Sequence, residues 1–163
     1  MKTLILYATK YGAAEEIAGV IAGQIDDAVL HNLKLQPIPP LEDYDCIIIG
    51  SSIYAGSARK ELGKFILDNM GTLRAIIDGE QKKKIGLFVS GMSQEGGEGV
   101  FFRNFTEPLV SAAKATAVLG GIFDPQKANF FEKLIMKIVT KQTGYVNNID
   151  NEKINAFVAA MKE

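Results

Sequence analysis

The 163 residues include one cysteine, Cys46, and one histidine, His31. A lone thiol excludes an internal disulfide framework and a cysteine-rich metal site, and a lone imidazole excludes a multi-histidine site. Neither sign of charge is in excess. Eighteen Lys+Arg face nineteen Asp+Glu, for a formal net charge of −1, which gives no reason to expect nucleic-acid binding. No stretch approaches the roughly 18 apolar residues of a membrane-spanning helix. The opening MKTLILYATKYG holds only a short apolar run, Leu4 to Ala8. That is shorter than the core of a secretory leader, which is longer and ends in a small-residue cleavage site. A soluble, cytoplasmic protein is expected, and the unpaired thiol agrees with this. Catalysis by paired carboxylates stays open, because nineteen acids cannot be excluded by counting. Length and a 47% hydrophobic content predict one domain, residues 1–163, with a substantial core.

Short apolar runs alternate with amphipathic stretches. Thr3 to Ala8 is too short for a helix and rich in β formers. Gly12 opens a helix, Ala13 to Ile25, with Ile17, Val20, Ile21 and Ile25 at helical spacing and Glu15 and Glu16 in its first turn. A weaker strand, Val29 to Leu35, ends before Pro37, Pro39 and Pro40. Asp45 to Ser51 is continuously apolar, as expected of a strand covered on both faces. Ser57 to Met70 reads as a helix through Leu62, Phe65, Ile66 and Met70. Ile85 to Ser90 is the fourth strand, followed by a glycine-rich loop, Gly91 to Gly99. Val100 to Ala115 is helical in pattern, with Pro108 kinking it or starting its main body. Ala115 to Phe123 is the fifth strand, and helices follow over Asn129 to Lys141 and Asp150 to Met161. Strand and helix alternate without repeats or linkers. This predicts an α/β three-layer sandwich with a five-stranded parallel sheet in flavodoxin-like order 2-1-3-4-5 and helices on both faces.

Ligands in such sheets bind beyond the carboxyl ends of the strands, at the switch point between strands 1 and 3. Three loops start there. In Thr9-Lys10-Tyr11-Gly12-Ala13-Ala14, a helix N-terminus offers free N–H groups, Thr9 a hydroxyl, Lys10 a charge and Gly12 a close backbone approach. Together they could hold a phosphate; the plainer alternative is a tight turn with an exposed lysine. The Walker pattern fails, because Gly63-Lys64 is followed by Phe65. No Gly-x-Gly-x-x-Gly follows the first strand, which weakens a nicotinamide-type reading. In Ser51-Ser52-Ile53-Tyr54-Ala55-Gly56, small residues admit a planar ligand and Ile53 and Tyr54 can cover a ring; the alternative is a glycine-bounded turn. Ser90-Gly91-Met92 opens the third loop, whose glycines equally spell plain mobility. Cys46 is expected as a small buried hydrophobe and His31 as a surface residue. Asp43 and Asp45 are expected as turn and capping residues at the opposite end of the sheet.

The segment LILYATKYGAAEEIA resembles the flavodoxin-type start, in which Thr/Ser-x-x-Gly-x-Thr/Ser holds the FMN phosphate. DCIIIGSSIYAG resembles the same family's third strand and first flavin-ring loop. The resemblance is greatest to the menaquinone-dependent protoporphyrinogen dehydrogenase branch. That branch shows a loop like GSSIYAG and a helix like Phe130-Phe-Glu-Lys-Leu-Ile-Met-Lys-Ile-Val139, ending in a glycine, before the last helix. It implies FMN held by Thr9, Lys10, Tyr11, Gly12, Ala13 and Ala14 at the phosphate. Ser51, Ser52, Ile53, Tyr54, Ala55, Gly56, Ser90, Gly91 and Met92 would frame the ring, and the flavin would carry the chemistry. It further implies that a carbonyl near Ala55-Gly56 turns to accept a hydrogen bond from reduced flavin N5–H, a turn that Gly56 makes cheap. Two departures stand out. Ala14 replaces the family's closing hydroxyl. One hydrogen bond to a charged group, worth roughly 1.5–3 kcal/mol, is then missing or supplied by backbone or Thr9. The loop after the fourth strand is shorter than the basic insertion of the porphyrinogen enzymes, which bears on substrate more than on flavin.

Charge is unevenly placed. Residues 126–145 hold four lysines and one glutamate, a net of +3, while the rest has fourteen basic against eighteen acidic residues, a net of −4. On the Asn129–Lys141 helix, Lys133, Lys137 and Lys141 lie beside an apolar stripe of Phe130, Phe131, Leu134, Ile135, Ile138 and Val139. The stripe is expected to dock on the sheet with the lysines solvated; the sharper alternative is peripheral membrane contact or a quinone pool. Carrier flavodoxins are strongly acidic, so near-neutrality tilts the expectation toward an enzyme oxidising protoporphyrinogen with a quinone acceptor. An electron carrier docking on a redox partner protein and a flavin-free interaction module remain the alternatives. A receiver domain fits poorly, because Ala8-Thr9 and Gly50-Ser51 stand where its acids belong.

Overall fold

The computed structural model describes residues 1–92, 97–141 and 143–163, apart from the side chain of Val139. Ser93, Gln94, Glu95 and Gly96, within the expected glycine-rich loop, lie outside the described residues. The main sheet is built from β1 (Thr3–Ala8), β2 (Ala28–Asn32), β3 (Cys46–Tyr54), β5 (Lys84–Ser90) and β6 (Ala115–Val118). They run parallel in the order β2-β1-β3-β5-β6. A two-residue strand, β4 (Ser57–Ala58), folds back antiparallel on β3. Set aside that hairpin and the order is the expected 2-1-3-4-5.

Period-two alternation along the central strands sorts the core into two layers. Leu4, Leu6, Ile47, Ile49, Leu87 and Val89 share one face. Against it lie α2 (Lys60–Asp68), α3 (Met70–Ile77), α4 (Gly99–Asn104) and α5 (Glu107–Ala112), through Leu62, Phe65, Leu73, Phe101 and Leu109. Ile5, Tyr7, Cys46, Ile48 and Phe88 face the other way, toward α1 (Ala13–Ala22) and α7 (Asn151–Lys162). Each fully buried Ile or Leu contributes about 1.5–3 kcal/mol by leaving water, so the strand core sets the fold. Cys46 is buried and free, and burial pushes its thiol up to about 11. At the far end of the sheet, Asp45 Oδ2 accepts from the Lys2 backbone N–H at 2.8 Å.

Several boundaries differ from expectation for local reasons. The helix expected to Ile25 ends at Ala22, before Gly23. The strand expected over Val29–Leu35 stops at Asn32, whose side chain accepts from Lys34 N and turns the chain. Ser57 to Met70 is not one helix. It begins as β4, because Ala55 and Gly56, at φ 48° and 78°, reverse the chain in two residues. The helical course then breaks at Asn69 between α2 and α3. Val100 to Ala115 splits at the extended Thr106, and Pro108 sits in the first turn of α5, where its missing N–H costs nothing. The fifth strand ends at Val118 because Gly120 takes φ 81°; a Cβ there would lie 1.8 Å from the Asn148 carbonyl oxygen. Beyond it, β7 (Ile122–Phe123) pairs antiparallel with β8 (Val146–Asn147) in a separate ribbon.

Between those two strands runs α6 (Phe130–Thr140). Its apolar stripe does not dock on the sheet as expected. Phe130, Phe131 and Ile138 are 75%, 72% and 69% exposed, while Glu132 and Met136 face inward at 3% and 8%. Met136 joins Phe123 and Ala128 in a small satellite core with Met92 and Val146. The helix therefore lies across one end of the sheet on a narrow contact rather than on its face.

Gly50 of β3 is required by close approach: a Cβ would come within 2.0–2.4 Å of three ring atoms of the buried Phe88. Gly50→Ala is expected to cost about 1–3 kcal/mol in urea unfolding, the range for overpacking. Adding Phe88→Leu is expected to recover part of the loss, and an unshifted midpoint for Gly50→Ala would contradict this packing.

Candidate functional site

Sheet register gathers the three loops singled out in the sequence. Ala8 stands opposite Ser51, and Ser52 opposite Ser90, so three strands deliver their last residues to one edge. A row of hydroxyls marks that edge. Thr9 Oγ1 lies 3.5 Å from Ser52 Oγ, and Ser90 Oγ donates to Ser52 Oγ at 3.2 Å.

The loop from β1 to α1 is organised around Thr9, whose Oγ1 accepts from Gly12 N–H at 2.9 Å. Gly12 is left-handed, at φ 96°, and provides no side-chain cap for α1. The first bond of the helix runs from Glu16 N–H to Gly12 C=O at 2.9 Å. N–H groups ahead of it have no intrahelical acceptor, so the helix presents donors and the positive end of its dipole to the loop. Lys10 and Tyr11 both reach one carboxylate, that of Glu132 on α6: Lys10 Nζ bonds to Oε1 and Tyr11 O–H donates to Oε2. Lys10 Nζ also sits 4.1 Å from the Tyr54 ring centroid. Burial works against the ionised Glu132, but hydrogen bonds from Lys10, Tyr11 and the Asn129 N–H outweigh it and hold the carboxyl below its usual 4.5. Burial, reinforced by the bond to Glu132, pushes the Tyr11 phenol well above its ordinary value.

On the second loop, Ser52 to Gly56 form the β3–β4 hairpin. Asn104 of α4 holds its tip. The Asn104 amide donates to Gly56 C=O at 3.1 Å and to Val100 C=O at 2.9 Å, and Ala58 N–H donates to Asn104 Oδ1 at 2.6 Å. Ser51 turns the other way: its hydroxyl accepts from Arg59 N–H at 3.0 Å.

A cavity of about 280 Å³ opens between these loops. Of the residues singled out in the sequence, Lys10, Tyr11, Ala13, Ser52, Ile53, Tyr54, Ala55, Gly56, Ser90, Gly91 and Met92 line it. Thr9, Gly12 and Ser51, also singled out, are not among its lining residues, and Ala14 is fully buried in the core beneath α1. Sequence reasoning missed the far wall, formed by Val100, Arg103, Ile122, Phe123, Ile135 and Met136. It also missed Glu132 and Asn104. Glu132 stands third after Asn129 and completes a reciprocal capping box with it, a role that accounts for its presence without a distant partner. Chemically, the arrangement is an anion seat beside an apolar-walled slot, suited to a planar group carrying a phosphate or carboxylate. A larger cavity of about 590 Å³ lies along the free edge of β6 against α7. Its Asp150 and Lys153 pair with each other at 3.3 Å, so no charge is left aimed into it. Among the described residues, no cluster of three His, Cys, Asp or Glu is placed to hold a metal ion, and no helix is long and apolar enough to cross a membrane.

A family described as "Flavodoxin domain" matches residues 4–150. The chain belongs to this flavodoxin-domain family. Among curated proteins it is similar to Escherichia coli K12 protoporphyrinogen IX dehydrogenase [quinone], with 34% identity over 70 residues. That match covers 40% of this chain and 39% of the relative, so it spans about two fifths of the relative's length. Among solved structures, oxidised flavodoxin 2 from Bacillus cereus superimposes with TM-score 0.59 at 24% identity, covering 99% of this chain and 98% of that one. Fusobacterium nucleatum flavodoxin bound to flavin mononucleotide gives 0.53 at 19%, again over 99% and 98%. At these identities the likeness is one of fold.

Because the Glu132 pKa is lower in the folded than in the unfolded chain, its ion pair stabilises above the ordinary glutamate range. That contribution is lost as pH falls through the depressed value. Glu132→Gln is expected to be less stable than the parent at pH 7 in urea unfolding. The difference should begin to shrink as pH falls below about 4.5 and vanish only below the depressed folded-state value. A pH-independent difference would contradict the ion pair.

Proposed function

We propose that this chain, as one domain over residues 1–163, is an FMN-binding oxidoreductase of the flavodoxin class. The observation that carries the reading is the anion seat at the N-terminus of α1 beside an apolar slot framed by the β3–β4 hairpin and Ser90–Met92. The residues fit the cofactor. A carboxylate already sits on Lys10 and Tyr11, which is a stand-in for a phosphate oxygen, and Gly12 leaves space where any other residue would put a Cβ. Ala14 has no hydroxyl to add, so Thr9, Lys10, Tyr11 and the backbone N–H groups of Ala13 and Ala14 would carry the phosphate. Ile53, Tyr54 and Met92 would bracket the ring. Bound FMN would supply the redox chemistry, and the protein would hold it, exclude water and tune its potential. The carbonyls of Ala55 and Gly56 would be the hairpin acceptors offered to a reduced flavin, with Gly56 C=O already accepting one bond from Asn104.

For the substrate we favour protoporphyrinogen, with a quinone as acceptor. The partial similarity to the Escherichia coli quinone-linked enzyme supports it, as does the unusually neutral charge of the chain. The placement is cytoplasmic, with peripheral membrane contact through Lys133, Lys137 and Lys141. Support for that contact comes from Phe130, Phe131 and Ile138, which are exposed beside the lysines. The second reading is an electron carrier serving a redox partner protein, favoured by flavodoxin likeness over nearly the whole of both chains.

The purified protein is expected to take up FMN with quenching of its fluorescence. Thr9→Val should weaken binding about tenfold or more, the loss of a hydrogen bond to a charged group, without loss of helical circular dichroism. Failure to take up FMN would overturn the reading. Anaerobic porphyrinogen oxidation that depends on a menaquinone analogue separates the enzyme from the carrier.

A further inference from the structure

The carboxylate on the phosphate-type loop comes from more than 120 positions away, on a helix whose described hydrophobic side chains are mostly exposed. Inward-facing Glu132 and Met136 are the buried residues among the described side chains of α6, which turns Phe130, Phe131, Leu134 and Ile138 to solvent. Ile135 and Met136 of the same helix form part of the cavity wall. At about 280 Å³, the cavity sits just under the roughly 300–1,000 Å³ of small-molecule pockets, and α6 is the element that narrows it. Lys10 is the one lysine in the loop from Thr9 to Ala14. A phosphate dianion placed there would compete with the Glu132 carboxylate for the Lys10 ammonium and the Tyr11 hydroxyl, a like-charge arrangement that favours expelling one of the two anions.

We propose that Glu132 is an internal anion that occupies Lys10 and Tyr11 in the cofactor-free protein, pins α6 across the mouth of the site, and is displaced when the FMN phosphate arrives. α6 is then a latch set by the anion on the loop, and its outer apolar face is freed to move with the cofactor state. The displacement rests on the FMN reading; the pinning does not.

Glu132→Gln is the decisive variant. Glutamine can keep the capping box with Asn129 through its one carbonyl oxygen, and it removes the charge and the second acceptor oxygen, the one that takes Lys10. In the cofactor-free protein, amide hydrogen exchange over residues 130–140 is expected to be about tenfold faster in Glu132→Gln, the factor for one charge-assisted bond lost. Lys10→Met should give the same increase. In the parent, saturating FMN is expected to raise exchange in this helix toward the Glu132→Gln level, whereas riboflavin, which lacks the phosphate, leaves it unchanged. FMN should bind Glu132→Gln about tenfold more tightly than the parent, because no competitor has to leave. Weaker FMN binding by Glu132→Gln, or exchange over 130–140 slowed by FMN, would overturn the displacement. Equal exchange in the two cofactor-free proteins would overturn the pinning. If neither protein takes up FMN, the cofactor reading and the displacement both fail, and the cofactor-free comparison still decides the latch.

Discussion

Strand β3 lies between β1 and β5, hydrogen-bonded on both sides and covered on both faces, and every feature of the site takes its position from that register. A slip of one residue would exchange Ile47 and Ile49 with Cys46 and Ile48 between the two core layers, and the burial of four branched or sulfur-bearing side chains opposes it. The same register delivers Ala8, Ser52 and Ser90 to one edge, so the hydroxyl row from Thr9 through Ser52 to Ser90 is a by-product of core packing. Gly50 fixes it further: the Phe88 ring fills the space where a side chain on β3 would lie. The fold thus places the anion seat and the slot before any residue in them is chosen for binding.

The strands were legible because their signal is local. Cys46 to Ile49 is apolar without interruption, and the loops that follow β1, β3 and β5 had to meet once the parallel order was read. Misread segments are those where a turn or a partner distant in sequence decides. Ala55 and Gly56 convert the start of an expected helix into a hairpin, and the reversal depends on positive φ at an alanine, which no periodicity announces. Gly120 ends β6 because the Asn148 backbone crosses it, a contact between segments 28 positions apart. Asn104 looks like an unremarkable helix terminus, yet its amide joins α4 to the hairpin tip.

The greatest departure is α6. Its stripe of Phe130, Phe131, Leu134 and Ile138 follows the helical period, and that pattern ordinarily marks a buried face. Here the lone acid takes the buried position instead, because two donors on the first loop satisfy it and the satellite core needs only Met136 and its neighbours. A net charge near zero conceals this arrangement: a basic, outward-facing helix rests on an otherwise acidic body through the Lys10–Glu132 ion pair, the Tyr11 bond and the satellite core around Met136. The two proposed readings of function share the slot and differ in what would meet the surface of this helix.

The central claim is that the loop from Thr9 to Ala14 encloses a phosphate. Phosphorus NMR of FMN added to the protein tests it most directly. Free FMN phosphate titrates with a second pKa near 6. Enclosed by Lys10, the Thr9 hydroxyl and the N–H groups of α1, it should give a shifted resonance that stays dianionic between about pH 5 and 8. A resonance that titrates as in free FMN, with the flavin bound, would place the phosphate in solvent and contradict the account.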